Sequence, residues 1–207
     1  YPVKIKIPEG ILLNPKPPAA VSAGNVETSQ NVVELILKAL RKAIPDRICA
    51  GSEGTMNNLI IGNDNFTYYE TIGGGAGASL EGAGESGVQV HMTNTKNTPI
   101  EALENDYPLI VRAYHLRENS GGEGKHKGGE GIVREIEVLE DSFLSIQSGR
   151  RTRGPEGIEG GKPGNRGKNI LIRDSSREEL PGKITRKLKF KDRIRIETPG
   201  GGGWGKP

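Results

Sequence analysis

Glycine placement constrains this chain more than any other feature of it. Glycine supplies 31 of the 207 residues, about double the ~7% of average usage. The glycines gather at 73–77, 119–131, 154–168 and 200–205, with neither the three-residue period of collagen nor the monotony of a linker. Glycine takes left-handed backbone freely and lets another backbone come close. The clusters therefore read as turns and close-approach loops between ordered strands. Aromatics are only 4% of the chain, so aliphatic strands must supply the core.

One stretch is convincingly helical. Thr28 or Ser29 caps it, and Val33, Ile36, Leu37 and Leu40 share a face. Arg41 and Lys42 suit its last turn, and Pro45 ends it. The spacing predicts an apolar stripe packed against a sheet. Upstream, residues 3–7 alternate apolar and basic as a half-buried strand does. Residues 8–24 read as an extended crossing stiffened by Pro15, Pro17 and Pro18. Downstream, strands are predicted over 59–61, 66–72, 87–92, 109–117, 132–139, 143–147, 169–173, 184–190 and 193–197. Gly62-Asn63-Asp64-Asn65 makes a hairpin turn between the first two. No solenoid or propeller repeat is present. The product is a strand-dominated α+β chain with one clear amphipathic helix and Gly-rich loops. No linker divides residues 1–207, which read as a single region.

Chemistry concentrates between residues 49 and 104. There Gly54-Thr55-Met56-Asn57-Asn58, Tyr69-Glu70-Thr71-Ile72-Gly73-Gly74-Gly75-Ala76-Gly77 and His91-Met92-Thr93-Asn94-Thr95-Lys96-Asn97 gather short polar side chains around a glycine run. Such a segment reads as the wall of a polar small-molecule site. His91 has the chemistry of an acid, base or metal ligand, or of a hydrogen-bonded structural residue. Glu70, at a strand end, suits a base or a holder of a substrate N–H, or a solvent-facing strand position. Asn57, Asn58, Asn94 and Asn97 each offer a donor and an acceptor to an amide or imide ring, or brace turns through local backbone bonds. Gly74 and Gly75 belong to a loop that passes close to a ligand or a partner backbone. The run lacks the Gly-Lys-Ser/Thr of a phosphate loop and the strand–turn–helix context of a dinucleotide fingerprint. No second ligand stands near His91 at metal spacing, so a complete metal site is not expected within this chain.

The formal net charge of +3 makes no general case for nucleic acid. Basic residues crowd the last third, as in Arg150-Arg151-Thr152-Arg153, and read as a solvated face balanced by nearby acids. A lone Cys49 rules out an internal disulfide and suits a reducing cytoplasm. No apolar run approaches the ~20 residues that cross a bilayer. The chain opens on Tyr1-Pro2 without an initiator Met, as expected of a processed chain or a piece of something longer. Trp204, the only Trp, is expected to pin the glycine-rich ending into a groove.

Together these segments resemble the C-terminal part of the hydantoinase B / 5-oxoprolinase family, which includes N-methylhydantoinase B and acetone carboxylase alpha-type subunits. The resemblance also rests on Gly24-Asn25-Val26-Glu27-Thr28-Ser29-Gln30, Asn97-Thr98-Pro99-Ile100-Glu101, Ser120-Gly121-Gly122, Gly128-Gly129, Val133-Arg134-Glu135 and the stretch 199–205. It implies ATP-dependent opening of cyclic amides or imides, or in related members carboxylation of ketones. It further implies ATP on a partner A-type subunit, and any divalent metal held by ligands outside this chain. The partners implied are that subunit, the N-terminal half of a B subunit and a small-molecule substrate, with no nucleic acid and no membrane. On that reading His91 and Glu70 are catalytic and Asn57, Asn58, Asn94, Asn97, Gly74 and Gly75 bind substrate. A non-catalytic assembly module is the alternative.

Overall fold

A computed structural model describes residues 4–20 and 23–207. Helix α1 runs Ser29–Arg41 and a short α2 runs Ile100–Asp106. The nine strands are β1 Asn58–Gly62, β2 Thr67–Thr71, β3 Leu109–Arg117, β4 Gly131–Val138, β5 Ser142–Gln147, β6 Lys168–Arg173, β7 Ser176–Leu180, β8 Lys183–Leu188 and β9 Arg193–Glu197. They form two antiparallel sheets, in the order β2-β1-β5-β8 and β3-β4-β9-β6-β7. The chain is α+β with strands dominant. No helix among the described residues is long and apolar enough to cross a membrane.

The core lies between the sheets because side chains alternate along each strand. Leu59, Ile61, Tyr68, Leu144, Ile146 and Leu188 come from the four-stranded sheet. Ile132, Ile136, Val138, Leu171, Ile194 and Ile196 meet them from the five-stranded one. The other face of the larger sheet carries charge in register. Glu135 stands opposite Arg195 and is bridged by Arg193 at 2.8 Å and Arg195 at 3.3 Å.

The predicted hairpin forms, with Asn58 paired to Thr71 and Gly62 to Thr67. Asn63 Oδ1 accepts the N–H of Asn65 at 2.8 Å and of Phe66 at 3.3 Å, which fixes the turn. Three expectations need correction. Residues 87–92 make only an isolated bridge, Gly74 to Val88, because their backbone bonds to the glycine run, to Glu130 and to the Gln30 side chain and does not pair along a strand. Residues 4–7 are exposed and carry no strand; Val3 lies outside the described residues. Helix α1 turns Gln30, Glu34 and Arg41 inward, while Leu35, Ile36 and Leu40 face out, so its apolar stripe does not pack on a sheet.

The glycine clusters form a third layer of structure. Segments around 51, 74–78, 84–87, 122–129, 156–164 and 199–205 bond to one another backbone to backbone. Examples are Gly75 N–H to Pro199 O (3.0 Å), Gly129 N–H to Ala76 O (2.9 Å), Gly201 N–H to Gly129 O (2.8 Å) and Gly202 N–H to Gly51 O (2.7 Å). A Cβ on Gly201 would stand 1.8 Å from Ala76 O, so only glycine fits such a sheaf. Trp204 is buried at its end, bridged to His126 and Ile158.

Candidate functional site

Strand β2 delivers Glu70 to the inner face, where alternation calls for an apolar residue. Strand β4 does the same with Arg134, between Ile132 and Ile136. Both are buried, Arg134 completely. The guanidinium grips the carboxylate through two contacts, Nη2 to Oε1 at 3.0 Å and Nε to Oε2 at 3.2 Å. This two-pronged geometry is the strong form of the pair. Asn97 donates its amide to Glu70 Oε1 at 2.7 Å and to Thr71 O at 3.1 Å. Tyr114 donates to Asn97 Oδ1 at 2.9 Å, and its ring lies under Arg134, 4.4 Å from centroid to guanidinium carbon. Burial, followed by the Glu70 charge, pushes the Tyr68 hydroxyl beside this cluster up to about 12.

Above the cluster opens a cleft of about 530 Å³, lined in part by Gly73, Val88, Gln89, Asn94, Asn97 and Tyr114. Its polar lining combines the amides of Gln89, Asn94 and Asn97, the hydroxyls of Thr95, Thr98 and Tyr114, and the ammonium of Lys96. Gln89 Oε1 is buried without a partner among the described residues. Such a surface suits a polar, hydrogen-bonding ligand, because its amides and hydroxyls donate and accept while Lys96 adds a positively charged donor. Glu70 lies beneath it, locked to Arg134. Its lone pairs face a guanidinium and an amide, so its role here is to hold Asn97.

His91 lies elsewhere. Its Nε2 is 3.2 Å from Glu34 Oε2 on α1, and its backbone is left-handed, with φ of 57°. Glu34 also takes Arg41 at 2.9 Å and faces Arg150 at 3.6 Å. Burial alone would raise the Glu34 carboxyl. The His91 bond and the Arg41 and Arg150 charges outweigh it and hold the group below its ordinary range. Gln30 bonds Val90 O at 3.0 Å and accepts from Met92 N–H at 2.9 Å. Together these contacts staple residues 90–92 to the helix.

Asn57 and Asn58 are buried and fully engaged. Asn57 donates to Glu53 Oε2 at 2.6 Å and Ile72 O at 2.9 Å, and accepts from Arg151 Nη1 at 2.9 Å. Asn58 donates to Gln147 O at 3.1 Å and accepts from the Tyr69 hydroxyl at 2.6 Å. Gly74 and Gly75 sit in the glycine sheaf. A Cβ would meet Glu53 Oε2 at 2.3 Å in the first and Gly129 O at 2.0 Å in the second, so their close approach is to this chain's own atoms. Asn97 thus contacts Glu70 and shares the cleft lining with Asn94, whereas Asn57, Asn58, Gly74, Gly75 and His91 do not line the cleft.

Sequence reasoning assigned no site role to Arg134, Tyr114 or Glu53, and it placed Arg151 on a solvated face, whereas Arg151 is buried and bonded to Asn57 and Asn169. Arg134 carried a legible signal: a charge on a strand face otherwise made of Ile132, Ile136 and Val138. Among the described residues no group of three His, Cys, Asp or Glu could hold a metal. The glycine run, filled by neighbouring backbone, has no room for a phosphate.

A family model described as hydantoinase B/oxoprolinase matches residues 1–207. The 5-oxoprolinase 1 of Arabidopsis thaliana is 50% identical over 205 residues, which are 99% of this chain and 16% of that protein. The uncharacterized protein MJ0963 of Methanocaldococcus jannaschii is 49% identical over 205 residues, 36% of its length. A solved ATP-dependent caprolactamase from Pseudomonas jessenii superposes with a TM-score of 0.80 at 24% identity, covering 98% of this chain and 38% of that one. At that identity the likeness speaks for the fold. The chain spans between about a sixth and two fifths of the proteins it matches.

Proposed function

The chain belongs to the hydantoinase B/oxoprolinase family, and on that premise we propose that it is the C-terminal component of an ATP-dependent hydrolase of cyclic amides or imides. It acts with the N-terminal half of a B-type subunit and an A-type partner that handles ATP. The observation that carries this reading is the polar cleft over the Glu70–Arg134 pair. Its Asn94 offers both a donor and an acceptor to the C=O and N–H of a ring amide, while Asn97, whose N–H groups are taken by Glu70 and Thr71, presents the Tyr114 hydroxyl. Glu70 and Arg134 position Asn97, and Asn97 in turn orients the Tyr114 hydroxyl. A donor at the ring carbonyl, as Asn94 or Lys96 would supply, favours the charge that builds on it during attack.

The test is reconstitution with 5-oxoproline or a hydantoin, following ADP release and ring-opened product. The chain alone should be inactive, and its addition to the N-terminal half and the A-type partner should restore turnover. Activity of the lone chain, or equal activity without it, would overturn the proposal. A second reading, a non-catalytic assembly module, is favoured by one observation: Glu70, Asn57 and Asn58 are already satisfied within the fold. It predicts that Asn97→Ala leaves KM and kcat of the assembly unchanged.

A further inference from the structure

Helix α1 is mounted with its polar side down. Gln30, Glu34 and Arg41 are buried, while Leu35, Ile36 and Leu40 are 63%, 49% and 40% exposed, and Ile44 beyond the helix end is 41% exposed. A helix in water normally does the opposite. The segment before it repeats the pattern, with Ile5, Ile7, Ile11, Leu12 and Leu13 all exposed. A groove of about 710 Å³, lined by Ile11, Leu12, Pro15, Gly24 and Thr28 among others, joins that segment to the approach to α1. Exposed apolar surface on this scale marks a site of association.

We propose that this surface docks the part of a hydantoinase B-type polypeptide that lies outside the matched span. The inference rests on the reading of this chain as a component of such a protein. Two observations select the occupant. In the M. jannaschii protein and in the caprolactamase, the matched region is 36% and 38% of a longer chain, so a larger body is joined to it. The border of the apolar surface is basic, with Lys4, Lys6, Lys16, Lys42 and Arg47 exposed against Glu9 and Asp46. The occupant therefore presents apolar residues edged by carboxylates, in keeping with an apolar centre and a polar rim. A second copy of this chain would set the same basic border against itself, which like charges oppose.

The experiment co-expresses the tagged 207-residue chain with the remaining, untagged part of a hydantoinase B-type subunit. Two variants, Leu35→Glu/Leu40→Glu and Leu12→Glu, are compared with wild type. These side chains are exposed, so the thermal midpoint of the free variants should match wild type. Wild type should recover its partner in equal amounts, and each variant should lose at least ten-fold in recovery. Should the helix variant melt early, Leu12→Glu decides. The proposal is overturned if the variants recover partner as well as wild type, if wild type recovers none, or if the chain alone is a dimer that the variants make monomeric. Assembly is read without ATP or substrate. An assembled but inactive complex would keep the docking face and remove the activity, and an active complex indifferent to these variants would do the reverse.

Discussion

Glu53 is completely buried, and its Oε1 has no partner among the described residues. Burial pushes its carboxyl well above the ordinary range; the Asn57 bond and the Arg151 charge pull the other way and are outweighed. The folded state therefore holds a proton that the unfolded chain has lost. Stability from this group is present below the ordinary glutamate value and falls as pH rises toward the raised one. Glu53→Gln, a neutral isostere, should flatten that fall, and denaturation midpoints from pH 5 to 9 would show it. An unchanged slope would place the pH dependence elsewhere. His91 makes a second case. His91→Ala loses the Glu34 contact and puts a Cβ-bearing residue without side-chain support at φ of 57°. We expect a loss of about 1.5–3 kcal/mol from the hydrogen bond to a charged group, with turnover of the assembled enzyme near normal. A fall of ~10²–10⁴-fold would instead mark a general acid or base. Sequence flagged His91 because imidazole is versatile. It could not show Glu34 standing against it, since the two are 57 residues apart.

Among the elements, the glycine sheaf explains what the sequence made legible and what it hid. Clustered glycines announced close approach correctly, but not that the approaching atoms were the chain's own backbone, because sheaf pairing leaves no side-chain period to read. Strands were legible where apolar residues alternate, as in β4 and β9, or run together between turn residues, as in β1. Strand β7 was missed because only Leu180 of its five residues is buried, so it shows no apolar alternation. The stripe of α1 was real, and its direction was beyond reach, since periodicity names a face without saying what covers it. The sheaf yields a paired prediction. Gly75→Ala would drive a Cβ to 2.0 Å from Gly129 O, whereas Gly82 has nothing within 4 Å. The first should cost about 3 kcal/mol or more, at or beyond the upper end of overpacking, and the second should stay within ~0.5 kcal/mol. Thermal unfolding of both proteins would check this, and equal midpoints would mean that the sheaf yields easily.

At the scale of the whole molecule, the Glu70–Arg134 pair ties the two sheets together across a core that is otherwise apolar. A buried pair of this kind is weak evidence for stability, because taking both charges out of water costs about what their attraction returns. Its placement under the Asn97–Tyr114 end of the cleft points to positioning. The two roles separate in a three-variant series. Arg134→Met leaves the Glu70 carboxylate buried without its cation and should lower stability by about 3–5 kcal/mol. Glu70→Leu strands the guanidinium in the same way and should cost a similar amount. With Glu70→Leu and Arg134→Met combined, no unpaired charge remains, and most of the loss should be recovered in urea denaturation. In that folded double variant Asn97 has lost its 2.7 Å partner. If the pair serves the cleft, reconstituted turnover should then show a raised KM, because ground-state and transition-state contacts are weakened together. A double variant that recovers stability and keeps KM and kcat would assign the pair to joining the sheets alone, and the cleft would lose its support as a substrate site.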